Sequence, residues 1–343
     1  PMTLFGSKQS GISISVFAKT DLGRTRDHNE DCFLVADLST KTASLQPQVR
    51  DHALGKKGTL LLVADGMGGA AAGEVASAMA TETVYDHLIA TWCEDGESSP
   101  QQFAYRLRES VEHANTKIHE YAQEHPEVRG MGTTTTAVGI LDDHLYLTQV
   151  GDSRAYLVRD GAGIQLTKDQ SLMQRLVDAG ELTEEEAEKS ERRNIILQAL
   201  GPEPKVRVDL THQEIRRGDT LVLCSDGLSG LVKKEEIARI VSQTDTDLVT
   251  ICGELITLAN QRGGPDNITV IVARVSGDGL KEVDGEETVG HQVYPILDTE
   301  STTEPVPVYD GSPPPEPRGT PRTLLAILAA VMLLAAAIFM LTR

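Results

Sequence analysis

The chain has 343 residues, 40 % of them hydrophobic, enough for one large or two ordinary globular domains. Its 51 acidic and 32 basic residues leave a formal charge of −19, and no Lys/Arg-rich tract interrupts that balance. Nucleic acid is therefore excluded as the expected partner, because binding it needs a basic surface. Cys32, Cys93, Cys224 and Cys252 have no CxxC spacing and read as reduced thiols, not as a disulfide frame or a zinc site.

Residues 1–15 lack the charged-then-apolar run of a signal peptide. The folded body is expected from about residue 11 to 275. Ile12–Ala18 alternates as a strand does, and Thr59–Ala64 is a continuous apolar run. Helical periodicity covers Gly73–Ala90 and Phe103–Glu124. Thr133–Leu141 and His144–Val150 read as strands joined at Asp142-Asp143, followed by Arg154–Val158 and a turn at Asp160-Gly161. Further helices are expected over Ser171–Ala179, Lys234–Ser242 and Asp247–Gln261, with strands at Thr220–Cys224 and Ile268–Val275. Strands follow one another directly and helices come in pairs, which indicates antiparallel sheets covered by helices, an α+β architecture.

Residues 276–322 are rich in Asp, Glu, Thr, Gly and Pro, and read as an acidic disordered linker. Residues 323–341 follow, with no charged residue from Leu324 to Leu341. Those 18 residues would rise about 27 Å as a helix, close to the thickness of a bilayer core. This segment is expected to be a C-terminal transmembrane anchor. Arg318 and Arg322 agree with a single-pass protein of the cytoplasmic membrane whose body faces the cytoplasm.

Five acidic residues stand at the ends of apolar runs or in Gly-rich turns: Glu30, Asp65, Asp152, Asp226 and Asp266. Leu60-Leu-Leu-Val-Ala-Asp65-Gly66 and Leu221-Val-Leu-Cys-Ser-Asp226-Gly227 share one grammar, a buried strand leading to a carboxylate. Carboxylates cannot converge unaided, because desolvation and repulsion both oppose it. Around hard divalent cations they can, since such ions take oxygen ligands. Gly66 allows close approach, so its carbonyl is a candidate ligand. Arg26 lies among turn residues, and its guanidinium suits a phosphate dianion.

The ordered set Arg26…Glu30-Asp31, Asp65-Gly66-Met67-Gly68-Gly69, Gly130-Met131-Gly132-Thr133-Thr134, Gly151-Asp152-Ser153-Arg154, Gln198-Ala199-Leu200-Gly201, Ser225-Asp226-Gly227 and Gly264-Pro265-Asp266-Asn267 resembles the metal-dependent PP2C-like (PPM) Ser/Thr phosphatases, in their bacterial form. The resemblance spans about Asp21 to Val275. It implies a four-layer α-β-β-α sandwich with two Mn²⁺ or Mg²⁺ ions in a cleft between sheet edges. Asp65 would bridge them, Gly66 and Glu30 would serve one, and Asp226 and Asp266 the other. Asp152, with Asp226, would hold a third, weaker ion. Arg26 would bind the substrate phosphate, so the catalytic set is Arg26, Asp65 and Asp226.

The implied reaction is hydrolysis of phosphoserine or phosphothreonine by a water that two cations acidify. Two departures stand out. Met67 replaces a His that some eukaryotic members carry as the presumed acid, and Gln170 stands where many relatives have His at the start of a flap spanning about Thr167–Arg193. The expected partners are phosphorylated proteins, chiefly Ser/Thr kinases and their substrates, with the membrane holding a monomeric catalytic domain. Two other readings are an inactive relative that only binds phosphoproteins, and a phosphatase of small phosphoesters.

Overall fold

The computed structural model describes residues 11–68, 72–96, 99–285 and 288–295. In chain order these give β1 (Ser13–Asp21), β2 (Asp31–Asp37), β3 (Thr42–Ser44), β4 (Arg50–Ala53), β5 (Thr59–Met67), α1 (Ala72–Leu88) and α2 (Pro100–Glu124). Next come β6 (Gly132–Thr133), β7 (Thr135–Leu141), β8 (His144–Val150), β9 (Arg154–Arg159), β10 (Ala162–Gln165), α3 (Leu172–Asp178) and α4 (Glu184–Lys189). The remainder is β11 (Asp209–Glu214), β12 (Thr220–Cys224), α5 (Asp226–Ser229), α6 (Lys234–Val241), α7 (Leu248–Gln261) and β13 (Ile268–Ser276).

Two antiparallel sheets result. One has the order β10-β9-β12-β13-β1-β4, the other β11-β8-β7-β5-β2-β3, with β6 paired to β5. Side-chain alternation assigns each strand face to a layer. On β5, Leu60, Leu62 and Ala64 pack under Val84, Phe103 and Leu107 of α1 and α2. Leu61 and Val63 point the other way, against Ile14, Val16, Leu221 and Ile271 between the sheets. Val222, Val270 and Val272 face outward from the sheet of β12 and β13 onto Ile237, Ile251 and Leu255 of α6 and α7. The continuous apolar runs at β5 and β12 are thus strands buried on both faces, and the four layers run α-β-β-α.

Capping fixes the helix starts. Ser99 accepts from the Gln102 N–H ahead of Pro100 at the first turn of α2, and Asp247 does the same for Thr250 in α7. The β9–β10 hairpin turns at Asp160-Gly161, both with positive φ, 48° and 76°, the conformation whose twist matches the flanking strands. The expected Thr133–Leu141 strand is split at Thr134: β6 pairs with Gly66 and Met67 at the end of β5, and β7 pairs with Thr59–Val63 of β5 and with β8.

One expectation is corrected. The linker is expected at 276–322, yet residues 288–294 lie along the edge strand β11. His212 N–H donates to Gln292 O at 2.9 Å and Tyr294 N–H to Leu210 O at 3.0 Å. The Gln213 side chain adds bonds to Thr288 O and from Gly290 N–H, both at 3.2 Å. Tyr294 packs its ring edge against Tyr146. An edge strand offers free backbone donors and acceptors, and this strap satisfies them. Residues 286–287 and 296–322 of the expected linker, and the Leu324–Leu341 run, lie outside the described residues. Among the described residues no helix is long and apolar enough to cross a membrane.

Candidate metal centre

The strand pairing brings the acidic residues to one end of both sheets. Asp31 opens β2 and sits opposite Asp65 near the end of β5. Glu30 directly precedes β2, Asp152 lies between β8 and β9, Asp226 opens α5 just past β12, and Asp266 stands two residues before β13. Arg26 lies in the β1–β2 loop beside them. Its Nη2 donates to Asp266 Oδ2 at 2.8 Å, and its Nη1 is 3.9 Å from Glu30 Oε2.

The loops that carry these groups interlock by main-chain contact. Asn267 is buried and accepts from Glu30 N–H at 2.9 Å, while its amide donates to Leu22 O and His28 O at 3.1 and 3.0 Å. Arg24 N–H donates to Gly264 O at 2.7 Å. Gly23 has φ +78°, and a Cβ there would come within 2.2 Å of Asp266 O. Gly66 N–H donates to Glu30 O at 3.0 Å. A Cβ on Gly66 would collide with Gly73 O at 2.2 Å and Glu30 O at 2.5 Å, so this glycine is required by contact as well as by any ligand role. Asp65 is pinned from behind, its N–H donating to Thr134 Oγ1 at 3.0 Å and its carbonyl accepting from Thr134 N–H at 2.9 Å.

Electrostatically the site is an excess of negative charge. Burial pushes the Asp65 carboxyl well above the usual carboxylate range, and Asp31, Asp226, Asp152 and Asp266 push it further. Burial and then Asp226 raise Asp152. Burial and then Asp266 raise Asp226, which a hydrogen bond with Asp65 partly offsets. Glu30 is raised by burial and lowered again by Arg26. The mutual influence shows that Glu30, Asp65, Asp152, Asp226 and Asp266 share one neighbourhood. They are not drawn into a closed chelate: among the described residues no three His, Cys, Asp or Glu side chains are set to hold an ion.

Two groups fit a cation nonetheless. Among the described residues, Glu30 Oε1 and Asp31 Oδ1 are buried oxygens with no hydrogen-bond donor. The donor set is all oxygen, which suits Mg²⁺ or Mn²⁺ better than zinc. Asp31 is the member that sequence reasoning left without a role. Its Oδ2 accepts from Ser225 Oγ at 2.8 Å and Thr269 Oγ1 at 2.6 Å, bonds that favour its ionised form against the opposing cost of burial. Adjacent Glu-Asp residues at a strand start point to opposite faces, and spacing alone does not say which enters the cleft.

The family model described as Protein phosphatase 2C matches residues 46–253. The chain belongs to the protein phosphatase 2C family. It is 38 % identical over 255 residues to the serine/threonine phosphatase stp of Listeria innocua, covering 74 % of this chain and 93 % of the relative. It is 42 % identical over 216 residues to serine/threonine protein phosphatase PstP of Mycobacterium tuberculosis, covering 63 % of this chain and 40 % of that longer protein. Among solved structures, the S. agalactiae serine/threonine phosphatase superposes with TM-score 0.65 at 36 % identity, covering 76 % of this chain and 99 % of that one. The PstP catalytic domain in complex with two manganese ions superposes with TM-score 0.61 at 36 % identity, covering 77 % and 99 %. This member of the protein phosphatase 2C family is accordingly an enzyme, a protein serine/threonine phosphatase.

The raised carboxyls set a pH test. A folded pKa above the unfolded one means that the folded state binds more protons, so stability is lost as pH rises through the folded value. The window runs from the ordinary 3.8 up to about 7 for Asp31 and about 8 for Asp152. In EDTA the melting temperature is expected to fall between pH 5 and about 8, less steeply in Asp65→Asn, and Mn²⁺ is expected to restore it at the alkaline end. An identical decline in Asp65→Asn, with no response to Mn²⁺, would contradict the assigned electrostatics.

Proposed function

We propose that this phosphatase hydrolyses phosphoserine and phosphothreonine on proteins with divalent cations, Mn²⁺ or Mg²⁺, held by Glu30, Asp65, the Gly66 carbonyl, Asp226 and Asp266, and a further one by Asp152 with Asp226. The observation that carries the proposal is the crowd of carboxylates from separate stretches of chain, each raised by burial and by its neighbours, with Arg26 and Arg154 as positive charges acting on Asp226. Cations bound there would supply concentrated positive charge and acidify water, which attack on a phosphate monoester needs.

The chain's own residues do the rest. Arg26 lies at the rim with 46 % of its side chain exposed, so its guanidinium can offer parallel N–H donors to a phosphate dianion. Asp266 and Glu30 hold it in place until substrate arrives. Ser225 and Thr269 orient the Asp31 carboxylate behind Asp65. A thiol nucleophile is not available for covalent catalysis. Burial pushes Cys224 and Cys252 up to about 12, and Cys32 is also raised, so none ionises near neutrality. The all-oxygen site with an arginine at its rim favours an active phosphatase over an inactive binder, which has no need of such crowded charge.

For the membrane we propose attachment through residues 323–341, supported only by their apolar composition. Tethering would raise the local concentration of the enzyme for membrane-bound kinases and their substrates, on the cytoplasmic face.

With Mn²⁺ the purified chain is expected to dephosphorylate a phosphothreonine peptide faster than small phosphoesters, and EDTA to stop it. Asp226→Ala is expected to lower kcat by about 10²-fold or more while remaining folded; near-normal turnover in that variant would refute its role. In cells the full chain is expected in the membrane fraction, resistant to high salt, and a 323–341 deletion in the soluble fraction. Equal partitioning of the two would remove the anchor.

A further inference from the structure

The turn that carries Asp152 depends on a residue far from it in sequence. Gly151 has φ +102°, and a Cβ there would lie 2.6 Å from Thr134 Cγ2. This conformation exposes both polar groups of the Gly151 peptide, and Gln170 takes both. Its main-chain N–H donates to Gly151 O at 2.9 Å, and its side-chain Oε1 accepts from Gly151 N–H at 2.9 Å. The side-chain Nε2 then donates to Asp209 Oδ2 at 2.9 Å, with Gln149 O a longer neighbour at 3.5 Å.

Gln170 also anchors the flap. Its carbonyl accepts from Leu197 N–H at 2.7 Å, on the returning arm, and the next residue, Ser171, bridges to Ile196. Gln170 is buried, 8 % exposed, so these bonds compete little with water. A primary amide is the needed chemistry: the oxygen must accept from a backbone N–H while the nitrogen donates to a carboxylate. A carboxylate at 170 would keep the first bond and face Asp209 with like charge.

We propose that Gln170 is a positioning residue for the Asp152 carboxylate, so that the Asp209–Gln170–Gly151 link sets how strongly Asp152 engages a divalent cation. This rests on the reading of Asp152 as a cation-holding residue. The role proposed for Gln170 involves no direct contact with the cation. Gln170 acts through the Gly151 peptide, in the manner of the outer groups that orient metal ligands.

The test uses the full chain stripped of metal, with Mn²⁺ binding measured by calorimetry and folding by thermal unfolding in EDTA. Gln170→Glu and Gln170→Met are each expected to weaken the weakest Mn²⁺ binding step by about tenfold, as Asp152→Asn does or exceeds. The double variant Gln170→Glu with Asp209→Asn restores the donor–acceptor match with the polarity reversed, and is expected to return Mn²⁺ affinity close to that of the parent. Unchanged affinity in whichever single variants fold, or a loss in Gln170→Glu that the double variant leaves uncorrected, overturns the proposal. If Asp152→Asn itself leaves every Mn²⁺ step unaltered, the assignment of Asp152 fails, and the proposal fails with it.

Discussion

Like charge gathered in a largely buried cleft is the constraint around which this molecule is built. Glu30, Asp31, Asp65, Asp152, Asp226 and Asp266 meet at one end of two stacked sheets, and burial raises the cost of ionising several of them. No fold gains stability from such a cluster by itself. The sandwich bears it because its core is large and dry: β5, β12 and β13 are buried on both faces, and three apolar layers separate four layers of secondary structure.

Rigidity at the site comes from backbone more than from side-chain packing. Gly23 and Gly66 let neighbouring loops touch, and Asn267 sews the β1–β2 loop to the start of β13. Gln170 does the corresponding work for Gly151, linking it to the flap and to β11. The carboxylates therefore sit on short loops whose main chains are hydrogen-bonded to neighbouring loops.

The strands legible in the sequence are those with a regular alternation or a long apolar run, such as β1 and β5. Thr220–Cys224 and His144–Val150 match their expected limits. Strands β2, β3, β4, β10 and β11 escaped notice. Some are only three or four residues long, and β11, Asp-Leu-Thr-His-Gln-Glu, is mostly polar. Its partner on the outer side, the 288–294 strap, is still harder to read, because its composition suggests a solvated linker and its stability comes from a sheet edge supplied by distant residues. At the site, Asp65 and Asp226 were marked by the strands that lead to them. Asp31 and Gln170 were not assigned a function, because a role set by hydrogen bonds to Ser225, Thr269, Asp209 and Gly151 leaves no periodic trace.

The central claim is that the carboxylate crowd exists for divalent cations. Its most direct measurement is a crystal structure of the protein grown with Mn²⁺, with data collected at the manganese absorption edge. The expected result is anomalous density in the cleft, with Asp65 oxygens contacting two ions and Asp226 and Asp266 drawn onto one of them. A well-ordered cleft without anomalous density, its aspartates apart and protonated, would contradict the account.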